Sequence, residues 1–176
     1  MTKKLWCAAA MALLAGMAPV LAQGWDKKTT EKMLKDGAKK MESPTTAERE
    51  TGADWMLGYL QCPYKTQYLP VVVKALKDPS PKVRKMAAQS IEKLQAAEAI
   101  PDLLPLLDDP VDEVAERTAY ALGGLGAAAK SAEPALKKAA AARKAQKKST
   151  LSMTMDEAIN EIEGKSDGKR YSCDGK

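Results

Sequence analysis

The sequence contains no histidine, and this absence excludes several kinds of active site. A serine or cysteine nucleophile activated by histidine cannot be built, and neither can a histidine metal site. The three cysteines are too few for a structural zinc site. The stretch GGLG from Gly123 lies at the end of an apolar helical pattern, where glycine favours close packing or helix termination over phosphate binding. The sequence therefore predicts a protein that is not an enzyme and that holds no cofactor or metal.

The first 22 residues have the features of a secretory signal peptide. Two lysines precede an uncharged run rich in alanine and leucine, and small or modest residues at Val20 and Ala22 suit cleavage after Ala22. A retained membrane anchor is the alternative, because the run reaches roughly 18 residues. Its alanines and glycines partition weakly, however, and Cys7 precedes the run, which disfavours a lipoprotein. We expect a periplasmic or secreted protein.

The charge of the chain is only weakly basic. The formal charge is +5, and cleavage after Ala22 would remove two lysines and leave +3. This small excess gives little reason to expect nucleic acid as a partner.

Two cysteines, Cys62 and Cys173, would remain after cleavage. In an oxidising compartment they could form a disulfide that closes a long loop. Free thiols, or thiols paired with another molecule, are the alternative, because the sequence does not show that the two residues meet.

Two stretches of the chain match when one is shifted by 107 − 76 = 31 residues. They are LKDPSPKVRKMAAQSIEKL from Leu76 and LDDPVDEVAERTAYALGGL from Leu107. The identical pairs are Leu76 with Leu107, Asp78 with Asp109, Pro79 with Pro110, Val83 with Val114, Ala88 with Ala119 and Leu94 with Leu125. The apolar positions recur at the spacing of one helix face, and a period of this size is typical of stacked helical hairpins.

The same shift predicts the rest of the repeats. Pro70 matches Pro101, and Pro134 follows after a two-residue insertion, so each proline is expected to mark a helix start. Upstream, the shift places Met56, Leu57 and Leu60 on Ala87, Ala88 and Ile91. The predicted hairpins are 46–61 with 66–77, 81–95 with 98–107, and 111–126 with 132–148.

The run of Asp, Pro, "VR", "AA" and a final Leu in KDPSPKVRKMAAQSIEKL resembles a HEAT repeat, most closely the short bacterial type also seen in phycobilin lyases. The resemblance covers Thr45 to about Lys148. It implies an all-α fold, a short right-handed α-solenoid of about three HEAT-like helical hairpins with capping helices.

In that family the Asp and Arg of the motif tie adjacent hairpins together. Asp78, Arg84 and Asp109 match these positions, whereas Ala115 stands where the next Arg is expected. The resemblance therefore implies looser coupling at the last interface and an atypical last hairpin.

Both ends of such a stack need a cap. The segment 23–44, in which Gly37 is a weak point, is expected to cap or link the N-terminal end before the repeat domain 45–148. The segment 149–176 is expected to form a capping helix that ends at Gly164, followed by a polar tail. Capping boxes are expected for Thr45 with Glu48 and for Thr154 with Glu157. Either end could instead bind a partner.

Two charged stretches could carry a function. The acidic residues 108–113 could hold Ca²⁺, but their spacing does not match a calcium loop and favours turn and helix-capping roles. The basic run 137–148 could bind an anionic membrane surface or polymer, or it could be a solvated helix. No aromatic residue is interleaved for stacking on nucleic acid bases.

The resemblance implies that the second helices of the hairpins line a concave, partner-binding face. On this sequence the outward residues of that face would be Tyr64, Tyr68, Lys74, Lys137, Lys138 and Lys144. The leading hypothesis is a non-catalytic adaptor or scaffold of the bacterial envelope that binds another protein there. The alternative is an anionic surface or polymer bound by the basic run 137–148. A lyase-like accessory role rests on the resemblance alone.

Overall fold

A computed structural model describes residues 26–165 of the chain, and this part is built from helices without strands. Its α-helices are α1 Lys27–Met41, α2 Thr46–Tyr59, α3 Lys65–Ala75, α4 Pro81–Lys93, α5 Ile100–Leu103, α6 Asp112–Gly124, α7 Glu133–Ala145 and α8 Ser149–Ile162. Short 3-10 turns lie at Cys62–Tyr64, Ala97–Ala99, Leu104–Asp108 and Gly126–Ala132. Within this described part, no helix is long and apolar enough to cross a membrane.

The helices form two layers, as stacked hairpins require. The first layer contains α2, α4, α6 and α8, each of which packs on the next, and α1 packs on the free side of α2. The second layer contains α3, the segment 100–108 and α7, and one continuous apolar core lies between the layers. The expected all-α, HEAT-like stack of hairpins is confirmed. α1 and α8 cover its two ends.

The second helix of the middle hairpin is shorter than expected. The sequence predicts a helix over 98–107, but the α-helical part is limited to α5 and continues as the 3-10 turn Leu104–Asp108. Pro105 has no amide hydrogen to donate to the carbonyl of Pro101, so the α-helical pattern cannot continue there.

An Arg–Asp ladder connects successive hairpins. The Arg84 Nε and Nη2 groups donate to the two carboxylate oxygens of Asp109 at 2.7 and 2.9 Å, and Nη1 donates to the backbone carbonyls of Asp78 and Pro79 at 2.8 and 3.0 Å. Arg49 repeats the arrangement one hairpin earlier, with Nε 2.7 Å from the Asp78 carboxylate and Nη1 3.0 Å from the Pro44 carbonyl. At each of these two interfaces, one guanidinium therefore binds the carbonyls of one turn and the aspartate of the next turn.

The surroundings of the Asp109 carboxylate favour its charged form. Burial alone would raise the pKa of Asp109, but hydrogen bonds from Arg84 and from the Val111 amide outweigh it and hold the pKa below its ordinary value. Because the pKa is lower in the folded chain than in the unfolded one, this pair stabilises the fold at neutral pH. The contribution is lost as the pH falls through the lowered pKa.

The ladder corrects the register of the first hairpin. Arg49 occupies the place of Arg84, so the first helices are related by a shift of 84 − 49 = 35 residues and not 31. Ala53 and Met56, both buried, therefore correspond to Ala88 and Ile91, whereas Leu57 is only half-buried.

The four additional residues form one extra helical turn at the start of α3. Pro70 is the sixth residue of α3, whereas Pro101 is the second residue of α5. The expectation that Pro70 marks a helix start is therefore wrong, although Pro101 and Pro134 do lie in first turns. Thr66 and Pro70 are exposed, so the carbonyl that loses its helical partner lies on the solvent side.

Two of the expected helix ends also differ from the structure. Thr154 does not cap α8, because the helix begins at Ser149 and Thr154 is buried inside it, with its hydroxyl donating to the Thr150 carbonyl at 3.2 Å. Thr45 is the cap residue of α2, but Glu48 accepts from its hydroxyl at 3.1 Å and not from its amide. Gly164 ends α8 as expected, with a positive φ of 72°.

The last interface is not loose. Arg143 of α7 takes over from the missing arginine at Ala115, and its Nη2 group donates to the carbonyls of Leu107 and Asp109 at 3.1 and 3.2 Å. Arg143 is 7 % exposed, and its Nη1 group lies 3.3 Å from the Asp112 carboxylate. Arg143 thus satisfies the Asp109 carbonyl, which corresponds to the Asp78 carbonyl bound by Arg84, and it does so from the other layer.

We predict that Arg143→Met lowers the free energy of unfolding by about 1–3 kcal/mol, because it leaves two turn carbonyls without their donor, while Asp112 keeps its ion pair with Lys148. Urea unfolding followed by circular dichroism measures the change. The neighbouring substitution Lys144→Met, at an exposed position, should stay within about 0.5 kcal/mol of wild type. Equal effects of the two substitutions would contradict a structural role for Arg143.

Close packing of two glycines joins α1 to α2. A methyl group on Gly52 would lie 2.6 Å from the Gly37 carbonyl oxygen and 2.8 Å from the Met41 amide nitrogen. Gly37 is buried against the same contact, with the Trp55 Cβ 3.3 Å from where its own methyl group would be. Gly37 and Gly52 together therefore let α1 approach α2 closely.

We predict that Gly52→Ala destabilises the protein by about 1–3 kcal/mol, because backbone atoms of α1 must move to accept the methyl group. Gly58→Ala in the same helix is the matched control. No atom lies within 4 Å of its added methyl group, so this substitution should be neutral or stabilising by up to about 1 kcal/mol. Urea denaturation compares the two, and a stabilising Gly52→Ala would contradict the close approach of α1.

Candidate partner-binding surface

The outward side of the second layer, formed by α3, the segment 100–108 and α7, is here called the second-helix face. Its exposed charged residues include Lys74 on α3, Asp108 in the segment 100–108, and Lys137, Lys138 and Lys144 on α7. Ion pairs join α3 and its neighbouring hairpin at both ends, Lys65 with Glu98 at 3.0 Å and Lys77 with Asp102 at 3.4 Å. α7 packs directly on the turn Leu104–Asp108.

The two tyrosines predicted for this face do not both point outward. Tyr68 is 7 % exposed and belongs to the core, because it lies one turn before buried Val72 and two turns before buried Leu76. Tyr64 is half-buried and packs against the same core. Tyr68 is therefore a correction to the predicted contact set. The surface of α3 is carried instead by Lys74 and the exposed Pro70.

Half of the basic run 137–148 is already paired within the chain. Lys137 forms an ion pair with Glu133, and the hydrogen bond that Lys137 donates to this carboxylate raises the pKa of Lys137. Lys148 lies 2.6 Å from the Asp112 carboxylate, and Arg143 is buried in the ladder. Lys138, Lys144 and Lys147 are exposed and, among the residues described, have no ion-pair partner.

The burial of Arg143 could have been found from the sequence. Leu136, Ala139, Ala140 and Arg143 follow one another at helical spacing, and all four are buried. An arginine on the apolar stripe of a helix is the signal, because a solvated arginine would lie on the opposite face.

The acidic residues 108–113 serve the fold. Asp109 accepts from Arg84, and Asp112 accepts from Arg143 and Lys148. Cationic side chains therefore occupy two of the four carboxylates in this stretch, those of Asp109 and Asp112. Over residues 26–165 the structure contains no cluster of three or more histidine, cysteine, aspartate or glutamate side chains suited to a metal ion.

The expected cysteine pair stays a prediction. Cys62 is half-buried at the start of the 3-10 turn between α2 and α3. Cys173 lies outside the described residues, as do the segment 1–22 and its cleavage site.

Comparison with known proteins identifies the family. The family model for HEAT repeats matches residues 31–123, which is more than half of the chain and runs from α1 to α6. The match does not single out the phycobilin lyase type. No curated protein matches the chain significantly. With its stacked hairpins and its Arg–Asp ladder, this chain belongs to the HEAT-repeat family.

Proposed function

We propose that this protein is a non-catalytic adaptor of the bacterial envelope that binds another protein through the second-helix face. HEAT repeats commonly act as scaffolds for protein–protein interaction, and the family is generally non-enzymatic. The observation that carries the proposal is the set of exposed, unpaired lysines on this face. Lys74, Lys138 and Lys144 remain available on a surface whose other charges are mostly paired within the chain.

The charge pattern of the face indicates the chemistry of the partner. The outer hairpins contribute lysines, whereas the middle segment contributes Asp102 and Asp108. A partner that is acidic at both ends of its contact region would complement this pattern, and the mixed signs would help to fix its register. Exposed charges of this kind act mainly on the rate of association and on specificity.

The alternative, an anionic surface or polymer held by the run 137–148, has less support. A polyanion gains affinity from each free cation that it contacts, since each contact releases counterions. With Lys137 and Lys148 paired and Arg143 buried, three of the six basic side chains of this run remain free of ion pairs in the described structure.

We predict that Lys138→Glu with Lys144→Glu weakens binding of the partner at least about tenfold, because two attractive contacts become repulsive. A photo-crosslinking amino acid at position 141 of the wild-type protein, exposed between these two lysines, would capture the partner for identification by mass spectrometry. Affinity for the captured protein is then measured with the purified variant.

The matched control is Lys32→Glu with Lys35→Glu, which makes the same change of charge at exposed positions of α1. It should leave the affinity unchanged. Equal weakening by both pairs would contradict a site on the second-helix face. Retention on phosphatidylglycerol vesicles, lost only in the Lys138 and Lys144 variant, would favour the anionic surface instead.

The envelope location yields a second prediction. Expressed in a bacterial host, the mature protein is expected outside the cytoplasm with Gln23 at its N-terminus. Its intact mass should be lower by two hydrogens than that of the reduced chain, because Cys62 and Cys173 would be joined. Cys62→Ser is the control and should abolish this mass difference. An intact chain that starts at Met1 in the cytoplasm would contradict the location.

A further inference from the structure

Two large apolar side chains stand out on the opposite side of the molecule. Within residues 26–165, Tyr120 of α6 and Met153 of α8 are the large hydrophobic residues that lie exposed, at 42 % and 69 %. They line the same cleft, of about 400 Å³, between these two helices of the first layer. The residues around them are Glu116, Asp156, Glu157 and Asn160, and the whole cleft is called the acidic groove below.

At this point of α8, the polar side chains are buried and the apolar one is exposed. Ser152 and Thr154 are buried at 5 % and 4 % exposure, while Met153 between them points to solvent. An exposed methionine adds nothing to the stability of the folded chain. An apolar residue that a partner covers stabilises the complex. α8 is already held in place by the close approach of Ala158 to Gly123, where an added methyl group would lie 3.1 Å from the Ala158 Cα. The exposed side chain is therefore not needed to dock the helix.

The charge around the groove has a single sign. α8 contains no lysine or arginine between Ser149 and Ile162, and the one arginine of α6, Arg117, is paired with Glu92. Two basic side chains, Lys147 and Lys148, line the adjoining cleft; Lys148 is paired with Asp112, and Lys147 has no ion-pair partner among the described residues. On a chain with a formal charge of +5, an apolar pair surrounded by three free carboxylates is an exception.

We propose that the acidic groove binds a basic amphipathic segment of a protein partner. One or two of its apolar side chains would cover Tyr120 and Met153, and flanking lysines or arginines would face Glu116, Asp156 and Glu157. Methionine suits such a contact because its flexible thioether adapts to differently shaped partners. Two adjacent helices that expose apolar residues between charged rims are the usual arrangement for a helical peptide in a groove.

This site is separate from the second-helix face and opposite to it in charge. The lysines of that face belong to α3 and α7 in the second layer, whereas the groove belongs to α6 and α8 in the first layer. The protein would thus hold an acidic partner on one layer and a basic segment on the other. The Lys138→Glu and Lys144→Glu variant should bind the basic segment as wild type does, so failure of either proposal leaves the other testable.

The test uses the full secreted chain and a peptide of about 18 residues with leucines on one helical face and lysines on the other. Fluorescence anisotropy should show binding that weakens at least about tenfold with Asp156→Lys and Glu157→Lys together, and likewise with Met153→Asp. The matched control, Glu31→Lys with Glu42→Lys, makes the same charge change at exposed positions in α1 and directly after it, and should bind normally. A peptide with glutamine in place of leucine should bind at least about tenfold more weakly than the leucine peptide.

Three results would overturn the proposal. Equal weakening in the α1 control, or equal binding of the glutamine peptide, would show a general charge effect without a groove. A wild-type chain that sediments as a dimer, and as a monomer after Met153→Asp, would show that a second copy covers the groove. Each variant is first checked by circular dichroism, so that unfolding is not read as loss of binding.

Discussion

The whole stack depends on how the turns between hairpins are satisfied. Each turn leaves backbone carbonyls at the end of a helix without partners, and burying them unpaired would be unfavourable. An arginine solves this at every turn, through Arg49, Arg84 and Arg143 in succession. In the first two cases the same guanidinium also reaches the aspartate of the next turn, so satisfaction of one turn fixes the position of the following hairpin.

The third arginine shows that the constraint concerns the carbonyls and not the position in the sequence. With Ala115 in α6, the donor comes from α7, almost thirty positions later in the chain, and reaches Leu107 and Asp109 from the other layer. This exchange has a functional consequence. It removes one cation from the most basic stretch of the chain, so that α7 presents separate lysines and not a continuous basic strip.

The sequence predicts the helices of this fold better than its contacts. The matched stretches from Leu76 and Leu107 share a period because the same turn and the same apolar stripe recur, and periodicity reports both. The 31-residue shift fails for α2, because the extra turn of α3 lies between α2 and Pro70. The alignment of Pro70 with Pro101 does not show how many helical residues precede each proline. The burial of Tyr68 has a different cause, because the 31-residue shift holds within α3 and places Tyr68 on Ala99, which is also buried.

The surface was less accessible to prediction, because pairing depends on neighbours that are distant in sequence. Lys148 looks free in the sequence and is paired with Asp112 of another helix, whereas Tyr120 and Met153 look like ordinary members of helical patterns and prove to be exposed. The C-terminal helix has a buried face that caps the core and an exposed face with a different composition. α8 covers the end of the core with Met155, Ala158, Ile159 and Ile162, and its outer side keeps carboxylates and a methionine.

A helix that merely closes a solenoid needs a polar outer face and no more. Mixed charge would serve that purpose, and α7 beside it shows that lysine is readily used in this chain. The absence of any basic residue from α8, together with an exposed methionine set between buried hydroxyl residues, is therefore not explained by closure of the stack. A surface that repels acidic molecules and offers an apolar contact to basic ones does explain both features. On the function proposed above, the cap of the solenoid would also provide a second binding surface.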